Sequence, residues 1–384
     1  MDSKTTLIPL LIIGAHLKAE GYPNTLFRLR QLADSKLYDV TEINFPIWTT
    51  NGETHSGIFR LLRTIWRTIV AHARIVWCYF KLKRPKYAYI PYPSTFLLFV
   101  FSLFPRKILP ELIVADVFIS LYDTVVLDRL LLAEKGWVAR LLKWVEQRAC
   151  NCADIVIVDT EENKIFLCAL FKLVETKVIA IPLATDEGNF QFARYQPNAE
   201  TCRVLFVGTF VPLHGIAIIL EAIRLIPSTA NIAFKLIGDG QDARLVEQWE
   251  SRNGKLFEWE RRWQSSAQLA DEIAKSDICL GIFGWGDKTQ RVCPFKIYAY
   301  AAVGRPIITG NTEWLLNTHC ILGKEIIAGV AVNDPAALAR KIMELAISPL
   351  QRTRMAQDSF RFYRDHLANE HATERINAIF RQHP

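Results

Sequence analysis

The strongest constraint on the fold is a repeated alternation of short, β-branched apolar runs with longer segments of helical periodicity. Continuous apolar strands separated by helices form parallel sheets that are covered on both faces. This alternation predicts a doubly wound α/β fold, in which ligands bind at the carboxyl ends of the strands. The predicted strands are Leu7–Ile13, Tyr87–Pro91, Leu112–Ala115, Asp154–Val158, Lys177–Ile181, Arg203–Val207, Ala233–Ile237, Ile278–Leu280 and Pro306–Thr309.

A chain of 384 residues is too long for one core, because domains are usually about 100–200 residues long. The polar stretch from Asp186 to Cys202 has neither strand nor helix periodicity, and a new strand follows directly. We therefore expect two Rossmann-like domains facing a central cleft, an N-terminal domain over 1–190 and a C-terminal domain over 200–360. A terminal helix, 365–384, is expected to pack back on the first domain.

Two loops in the second half begin with glycine directly after a predicted strand. The first starts with Gly208 and Thr209 and ends at Gly215, where a helical segment begins. Gly208 permits a tight turn, and Gly215 lets a ligand approach the free N–H groups of the helix start, which favours a phosphate. The second loop contains Gly238 and Gly240. Each loop alone is more typical of an ordinary turn.

Three cations surround the next motif. Lys288, Arg291 and Lys296 lie on either side of Pro294, before a predicted short helix that stops at Gly304. Cations near a helix N-terminus oppose the helix dipole unless an anion binds there. A bound diphosphate would satisfy them, and a solvated basic loop is the alternative interpretation.

Together and in this order, the three motifs resemble the family-four retaining glycosyltransferases, the large glycosyl transferases group 1 family. The matching segments are 208–215, 237–240 and 294–306, and a weaker resemblance extends to 116–124 and 153–160. The resemblance implies a GT-B fold and a nucleoside-diphosphate sugar bound to the C-terminal domain. It also implies transfer with retained anomeric configuration, without a cofactor and without a metal.

Two positions depart from the family pattern. His214 stands where members often carry a lysine, and the neighbouring cations would supply the missing charge. Ala299 occupies a position that is usually a glutamate gripping the donor ribose. Loss of a charged acceptor weakens binding by roughly 1.5–3 kcal/mol, which is about tenfold to a hundredfold. Either another acceptor compensates, or the donor site is weak, or the residue was altered.

The resemblance implies that the acceptor and the reacting groups belong to the first domain. His16 follows the first strand, ahead of the loop 21–24, and Asp116 follows the predicted strand Leu112–Ala115 at its carboxyl end. We predict that both act on the catalytic side. A satisfied loop histidine and a solvated turn carboxylate are the alternatives.

The net charge of +7 is concentrated in one segment, because the stretch between Thr54 and Pro110 contains ten Lys or Arg and no Asp or Glu. Its arginines recur at helical spacing among aromatic and aliphatic residues, a pattern typical of a helix at an anionic membrane surface. The apolar run Phe96–Phe104 would add surface for a lipid-like acceptor. Solvated arginines on an ordinary domain helix are the alternative. The residues predicted to contact the membrane or the acceptor are Arg60, Arg63, Arg67, Trp66, Lys83 and Arg84.

Several other classes of protein are disfavoured. The eight cysteines lack paired spacing, which is typical of buried thiols in a reduced cytosolic protein. The apolar runs are too short to span a bilayer, and no cluster of residues has metal-ligand spacing. No nucleic-acid-binding module accompanies the basic segment. We therefore expect a cytoplasmic protein bound peripherally at the inner face of a membrane, without a metal or nucleic acid.

The sequence as a whole predicts a hexosyltransferase-like, metal-independent enzyme that moves sugar from a sugar nucleotide to a lipid-linked or glycan acceptor. A sugar-nucleotide epimerase of the same fold is one alternative, although it would not need the basic aromatic segment. A degenerate homologue that binds a glycan or a partner without catalysis is the other, and Ala299 favours it.

Overall fold

A computed structural model describes residues 7–19, 23–47, 58–198, 200–262 and 264–382, without the side chains of 58–62. The chain divides into two compact units. The first comprises Met1–Ala184 with Ala372–Pro384, and the second comprises Thr185–His371.

The first unit contains a parallel six-stranded sheet with the strand order β2-β1-β3-β4-β5-β6. Its strands are β1 Ile8–Gly14, β2 Tyr38–Asn44, β3 Tyr87–Ile90, β4 Leu112–Asp116, β5 Ile155–Val158 and β6 Val178–Ala180. Its first five helices are α1 Pro23–Asp34, α2 Ile58–Tyr79, α3 Thr95–Phe101, α4 Trp137–Cys152 and α5 Glu161–Phe171. Helices α2 to α5 bury apolar side chains on one face of the sheet, and α1 does so on the other.

The second unit contains another parallel six-stranded sheet, with the order β12-β11-β10-β7-β8-β9. Its strands are β7 Cys202–Val207, β8 Ile232–Ile237, β9 Glu258–Glu260, β10 Ile278–Leu280, β11 Ile307–Gly310 and β12 Ala328–Val330. Its helices are α6 Ile216–Leu225, α7 Ala243–Asn253, α8 Ser266–Ala274, α9 Asp287–Arg291, α10 Phe295–Val303, α11 Glu313–Leu322, α12 Pro335–Ala346 and α13 Pro349–Phe362.

The last helix, α14 (Asn369–Arg381), joins the first unit. Its residues Ile376 and Phe380 are buried in the same cluster as α1 and the first sheet. The Phe380 ring packs edge-on against Tyr38 at 5.7 Å and against Tyr87 at 5.8 Å, between ring centres. The Tyr38 hydroxyl donates a hydrogen bond of 2.6 Å to Asn377. A segment distant in sequence therefore completes one layer of this unit.

The predicted α/β class with two Rossmann-like units is confirmed, and each predicted strand coincides with an observed one within one or two residues. The prediction that Phe96–Phe104 offers surface to a lipid is wrong for three of its residues, whereas Phe96 and Leu103 are exposed. Leu97, Leu98 and Phe101 are buried in the core of the first unit. They pack there because α3 presents this side to the sheet, so they offer no surface to a lipid.

Candidate functional site

The candidate site of the second unit lies at the carboxyl edge of its sheet, between β7 and β10. From β7 the chain continues to β8 on one side and later returns to β10 on the other. Loops that diverge at such a switch point leave a crevice in which ligands bind. The three sequence motifs follow β7, β8 and β10, so the fold brings them to the same edge.

The loops after β7 and β10 are held together by their backbones. A tight turn, Pro212–His214, leads to Gly215, whose φ of 66° favours glycine. A Cβ added at Gly215 would lie 2.7 Å from the nitrogen of Gly284. The N–H of Gly284 donates to the carbonyl of Leu213 at 3.1 Å. Glycine at 215 is therefore needed for the start of α6 to lie against the next loop.

The loop after β8 is pressed equally closely against the loop after β7. Gly238 has a φ of 139°, and a Cβ there would lie 1.7 Å from the carbonyl oxygen of Gly208. A Cβ at Gly240 would lie 1.9 Å from the carbonyl oxygen of Thr209. The predicted donor residues Gly208, Thr209, Gly238 and Gly240 thus meet in one place.

Two basic side chains lie close to Gly208. A Cβ on this glycine would be 2.7 Å from His214 Cε1 and 2.9 Å from Lys296 Nζ. Lys296 is only 7% exposed, and its Nζ lies 3.5 Å from the Gly281 carbonyl and 4.0 Å from the centre of the Phe206 ring. His214 is also buried, and its Nδ1 has no hydrogen-bond partner among the described residues.

Burial lowers the pKa values of both groups. Burial lowers the pKa of Lys296 well below its ordinary value. Burial, and next the charge of Lys296, lowers the pKa of His214 well below its ordinary value. An anion close to these groups would favour their charged forms and accept charge-assisted hydrogen bonds.

The other two predicted cations lie on α9 rather than in a loop ahead of the helix that carries Lys296. This short helix packs against the turn Pro212–His214. Arg291 is buried, Lys288 is half-buried, and both interact with other residues of the chain. Gln290 accepts a hydrogen bond of 3.2 Å from the N–H of Glu313 and so ties α9 to α11.

Ala299 is buried in α10, one turn after Lys296. Its neighbour Tyr300 accepts a hydrogen bond of 3.0 Å from the N–H of Val207, the last residue of β7. This bond fixes α10 against the strand that leads into Gly208. The role of Tyr300 could not be predicted from the sequence, because its hydrogen-bond partner is a backbone group far away in the chain.

In the first unit, His16 lies just beyond β1, at the switch point between β1 and β3. It is fully buried, and its Nε2 lies 3.0 Å from a carboxylate oxygen of Glu42. The other oxygen of Glu42 accepts a hydrogen bond of 2.6 Å from Lys18. Burial lowers the pKa of His16 to about 4, so the ring is neutral near pH 7. Its Nδ1 has no hydrogen-bond partner in the described part of the chain. Gly21 and Tyr22 of the predicted loop lie outside the described residues.

Asp116 is the last residue of β4 and is almost completely buried, which excludes the solvated turn carboxylate. It accepts hydrogen bonds from the Tyr89 hydroxyl at 3.1 Å and from the Asn24 side chain at 3.4 Å. The N–H of Phe118 donates to it at 3.3 Å. Burial raises the pKa of Asp116, and the nearby charge of Arg28 opposes that change. This buried network ties α1, β3 and β4 together, and a catalytic role for Asp116 stays a prediction.

The predicted membrane residues lie on and after α2. Trp66, Arg63 and Lys83 are exposed, and Arg67 is half-buried. Arg84 is exposed and donates a hydrogen bond of 2.6 Å to the carbonyl of Leu109. The side chain of Arg60 lies outside the described residues. Among the helices described, none combines the length and the apolar character that crossing a bilayer requires.

The described residues contain no group of three or more His, Cys, Asp or Glu side chains that could hold a metal ion.

The unit that contains the Lys296 site matches a known family. Residues 201–347 match the model of glycosyl transferases group 1. The match shows that this part of the chain is similar to the group 1 glycosyltransferases. No curated protein sequence matches the chain.

Solved structures resemble this chain over nearly its whole length. HepE of Anabaena in complex with UDP-glucose has a TM-score of 0.67 and 13% identity, over 98% of this chain and 100% of that one. Sucrose-phosphate synthase from Thermosynechococcus elongatus has a TM-score of 0.72 and 17% identity, over 98% of both chains. A glycosyltransferase from Rickettsia africae has a TM-score of 0.63 and 12% identity, over 98% of this chain and 99% of that one. This likeness shows the fold, and the predicted GT-B architecture is confirmed.

Proposed function

We propose that this chain is a group 1 glycosyltransferase and that it binds a nucleoside-diphosphate sugar in the crevice between β7 and β10. The observation that carries the proposal is the buried amine of Lys296 beside His214, with no carboxylate paired to it in the residues described. A buried, uncompensated amine is unfavourable by itself. A diphosphate would supply the missing charge, and its position at a switch point agrees with the usual place of nucleotide ligands.

Different residues around the crevice would contribute hydrogen bonds, space and positive charge to binding of the diphosphate. Lys296 and His214 donate hydrogen bonds to phosphate oxygens, and the backbone N–H groups that follow Gly215 add to the positive field. Gly208 leaves the space through which the phosphates reach the two side chains. Lys288 and Arg291 contribute positive potential from α9. The complex of HepE with UDP-glucose makes uridine nucleotides the first donors to test.

The proposed reaction is transfer with retained configuration. The bond between the sugar C1 and the diphosphate oxygen breaks while the acceptor hydroxyl attacks C1 from the same face. The hydroxyl proton passes to the departing diphosphate. Negative charge grows on the leaving group during this step, so cations already fixed beneath it stabilise the transition state more than the ground state.

The acceptor is proposed to be a lipid-linked sugar or glycan presented at the inner face of a membrane. His16 and Asp116 are the proposed polar groups on the acceptor side. A neutral His16 held by Glu42 keeps a lone pair on Nδ1 with which to accept a proton or a hydroxyl hydrogen bond. The exposed tryptophans and cations of α2 support a membrane surface as the site of action.

The experiment is a thermal-shift measurement with a panel of sugar nucleotides, on the protein and on Ala299→Glu. A donor at a hundred times its Kd should add about 2.7 kcal/mol of stability. Stabilisation by one donor supports the proposal and names the nucleotide. Stabilisation of Ala299→Glu alone would mean that the donor site exists but lacks its ribose contact. If no donor stabilises either protein, the glycosyltransferase proposal fails.

Ala299 specifically favours a second candidate, a homologue that binds a donor or a glycan without transferring sugar. Its buried methyl group cannot accept a hydrogen bond from a ribose hydroxyl. Donor turnover in the presence of membrane extracts separates the two functions. A donor that binds and is never consumed would support the non-catalytic homologue.

A further inference from the structure

The exposed tryptophans in the described part of the chain lie mostly on two helices of the first unit. Of the five exposed tryptophans that the structure describes, four lie on α2 and α4 of the first unit. Trp66 and Trp77 on α2 are 65% and 62% exposed, and Trp137 and Trp144 on α4 are 72% and 50% exposed. We call the outer surface defined by these four residues the tryptophan face. Exposed aromatic residues in such a cluster mark a binding surface.

Helix α4 repeats the composition of α2, although the sequence analysis did not assign it to the membrane. It carries Arg140, Lys143 and Arg148 beside its two tryptophans. Its one acidic residue, Glu146, is fully buried and accepts hydrogen bonds from the backbone N–H groups of Leu121 and Tyr122. The exposed side of α4 therefore presents cations and aromatic rings without an opposing acid.

The exposed sides of α2 and α4 belong to one layer of helices. Both helices bury side chains on the same face of the first sheet, and α3 lies between them. On one side of α3, the rings of Tyr79 and Phe101 are 5.2 Å apart. On the other side, Phe99 packs against Trp144 at 5.6 Å. The tryptophan face is thus the outer side of a continuous α2–α3–α4 layer.

Charge decides which partner fits this face. The exposed cations Arg74 on α2 and Lys81, just beyond the end of α2, add to those of α4, and Lys81 Nζ lies 3.1 Å from the centre of the Trp77 ring. Tryptophan prefers the headgroup region of a bilayer, and each lysine or arginine near an anionic surface adds electrostatic attraction. A broad layer of this composition fits a flat anionic bilayer.

We infer that α4 is a second membrane-binding helix and that the tryptophan face lies along an anionic lipid surface. The inference rests on the proposed membrane-presented acceptor and extends it from one helix to two. A single amphipathic helix tethers a protein, whereas two helices on one layer also fix its orientation. Because α2 and α4 follow β2 and β4, both begin at the carboxyl edge of the sheet. That edge carries His16 and Asp116, so an acceptor headgroup would reach them while its lipid remains in the bilayer.

The test is sedimentation of the full-length protein with phosphatidylcholine vesicles, with and without phosphatidylglycerol. Trp137→Ala on α4 and Trp66→Ala on α2 should each weaken binding by about tenfold, since each removes a large apolar side chain from the interface. Arg140→Gln should weaken binding about fivefold, and only with phosphatidylglycerol present. Trp285→Ala, which removes an exposed tryptophan of the second unit, is the matched control and should bind as the unchanged protein does.

The α4 variants are chosen at exposed positions so that folding is preserved, and an unchanged melting temperature confirms this. If Trp66→Ala weakens binding while Trp137→Ala and Arg140→Gln do not, the two-helix inference is overturned and the membrane-presented acceptor stands. If the unchanged protein binds no vesicle, both membrane statements fail, while donor binding still tests the glycosyltransferase proposal separately. If Trp137→Ala instead converts a dimer into a monomer without changing vesicle binding, the face is a self-interface and the inference is overturned.

Discussion

Replacing Lys296 with methionine should stabilise the free protein and weaken donor binding. These effects have opposite signs because burying the amine of Lys296 is unfavourable in the free protein, whereas the same amine interacts favourably with a bound anion. Its Nζ has a long contact of 3.5 Å to the Gly281 carbonyl, and burial lowers the pKa of its amine well below the ordinary value. Methionine has nearly the same length and keeps the packing against the Phe206 ring without a charge.

The magnitudes follow from burial and charge. A polar group buried without a compensating hydrogen bond costs about 1–3 kcal/mol in proteins, so Lys296→Met should recover an amount of that size. In a domain of this size, each kcal/mol raises the melting temperature by about 2–4 °C. A lost charge-assisted hydrogen bond to the diphosphate costs about 1.5–3 kcal/mol, which weakens donor binding about tenfold to a hundredfold.

The assay is differential scanning fluorimetry without donor, followed by calorimetric titration of the donor. Lys275→Met is the matched control, because Lys275 is exposed and pairs only with the nearby Glu272 among the described residues. The control should change stability by no more than about 0.5 kcal/mol and leave donor binding unaltered. A Lys296→Met protein that melts earlier and binds donor normally would refute the argument, since Lys296 would then be a structural residue.

Three further predictions concern backbone strain and protonation. Gly238→Ala should destabilise the protein by more than about 3 kcal/mol in urea denaturation, because its Cβ would lie 1.7 Å from a carbonyl oxygen at a φ of 139°. Gly254→Ala is the control, because Gly254 has a φ of 78° with open space around it, and it should cost only the backbone strain of about 1–3 kcal/mol. Equal losses of stability in the two variants would contradict the steric argument. The pKa of His16 is near 6.5 in the unfolded chain and about 4 in the folded chain. Acidification through this window should therefore remove about 3 kcal/mol of the free energy of unfolding. The variant His16→Asn should abolish that part of the pH dependence. Donor binding should raise the depressed pKa values of Lys296 and His214 and take up protons. Affinity should therefore fall as pH rises, and calorimetry in buffers of different ionisation enthalpy that detects no proton uptake would contradict this.

The central strands could be predicted from the sequence, and the strands that were missed all lie at sheet edges. β2, β9 and β12 each have a neighbour on one side only. An edge strand that is partly exposed to water does not need a continuous apolar run. The sequence of β2, Tyr-Asp-Val-Thr-Glu-Ile-Asn, accordingly mixes polar and apolar residues. β9 and β12 contain three residues each, which is too short for a period-two pattern to be recognised.

The candidate site was predicted where backbone geometry dictates the residue type. Glycines at 208, 215, 238 and 240 are recognisable because other residues would collide there. The polar partners could not be predicted, since Glu42, Arg28 and Tyr300 act through contacts with residues far away in the chain. Burial of Asp116 was missed for the same reason, because a strand end that usually faces solvent is covered here by α1.

The return of α14 to the first unit has a consequence for the order in which the protein is made. The six strands of the first sheet are synthesised early, whereas Ile376 and Phe380, which cover part of one face, follow the whole of the second unit. The nascent chain therefore carries an open apolar strip along Leu10, Ile12 and Tyr87 throughout translation of the second unit. Exposed apolar surface of this kind favours aggregation and chaperone binding. The first unit to be translated is thus completed only after the whole second unit has been translated.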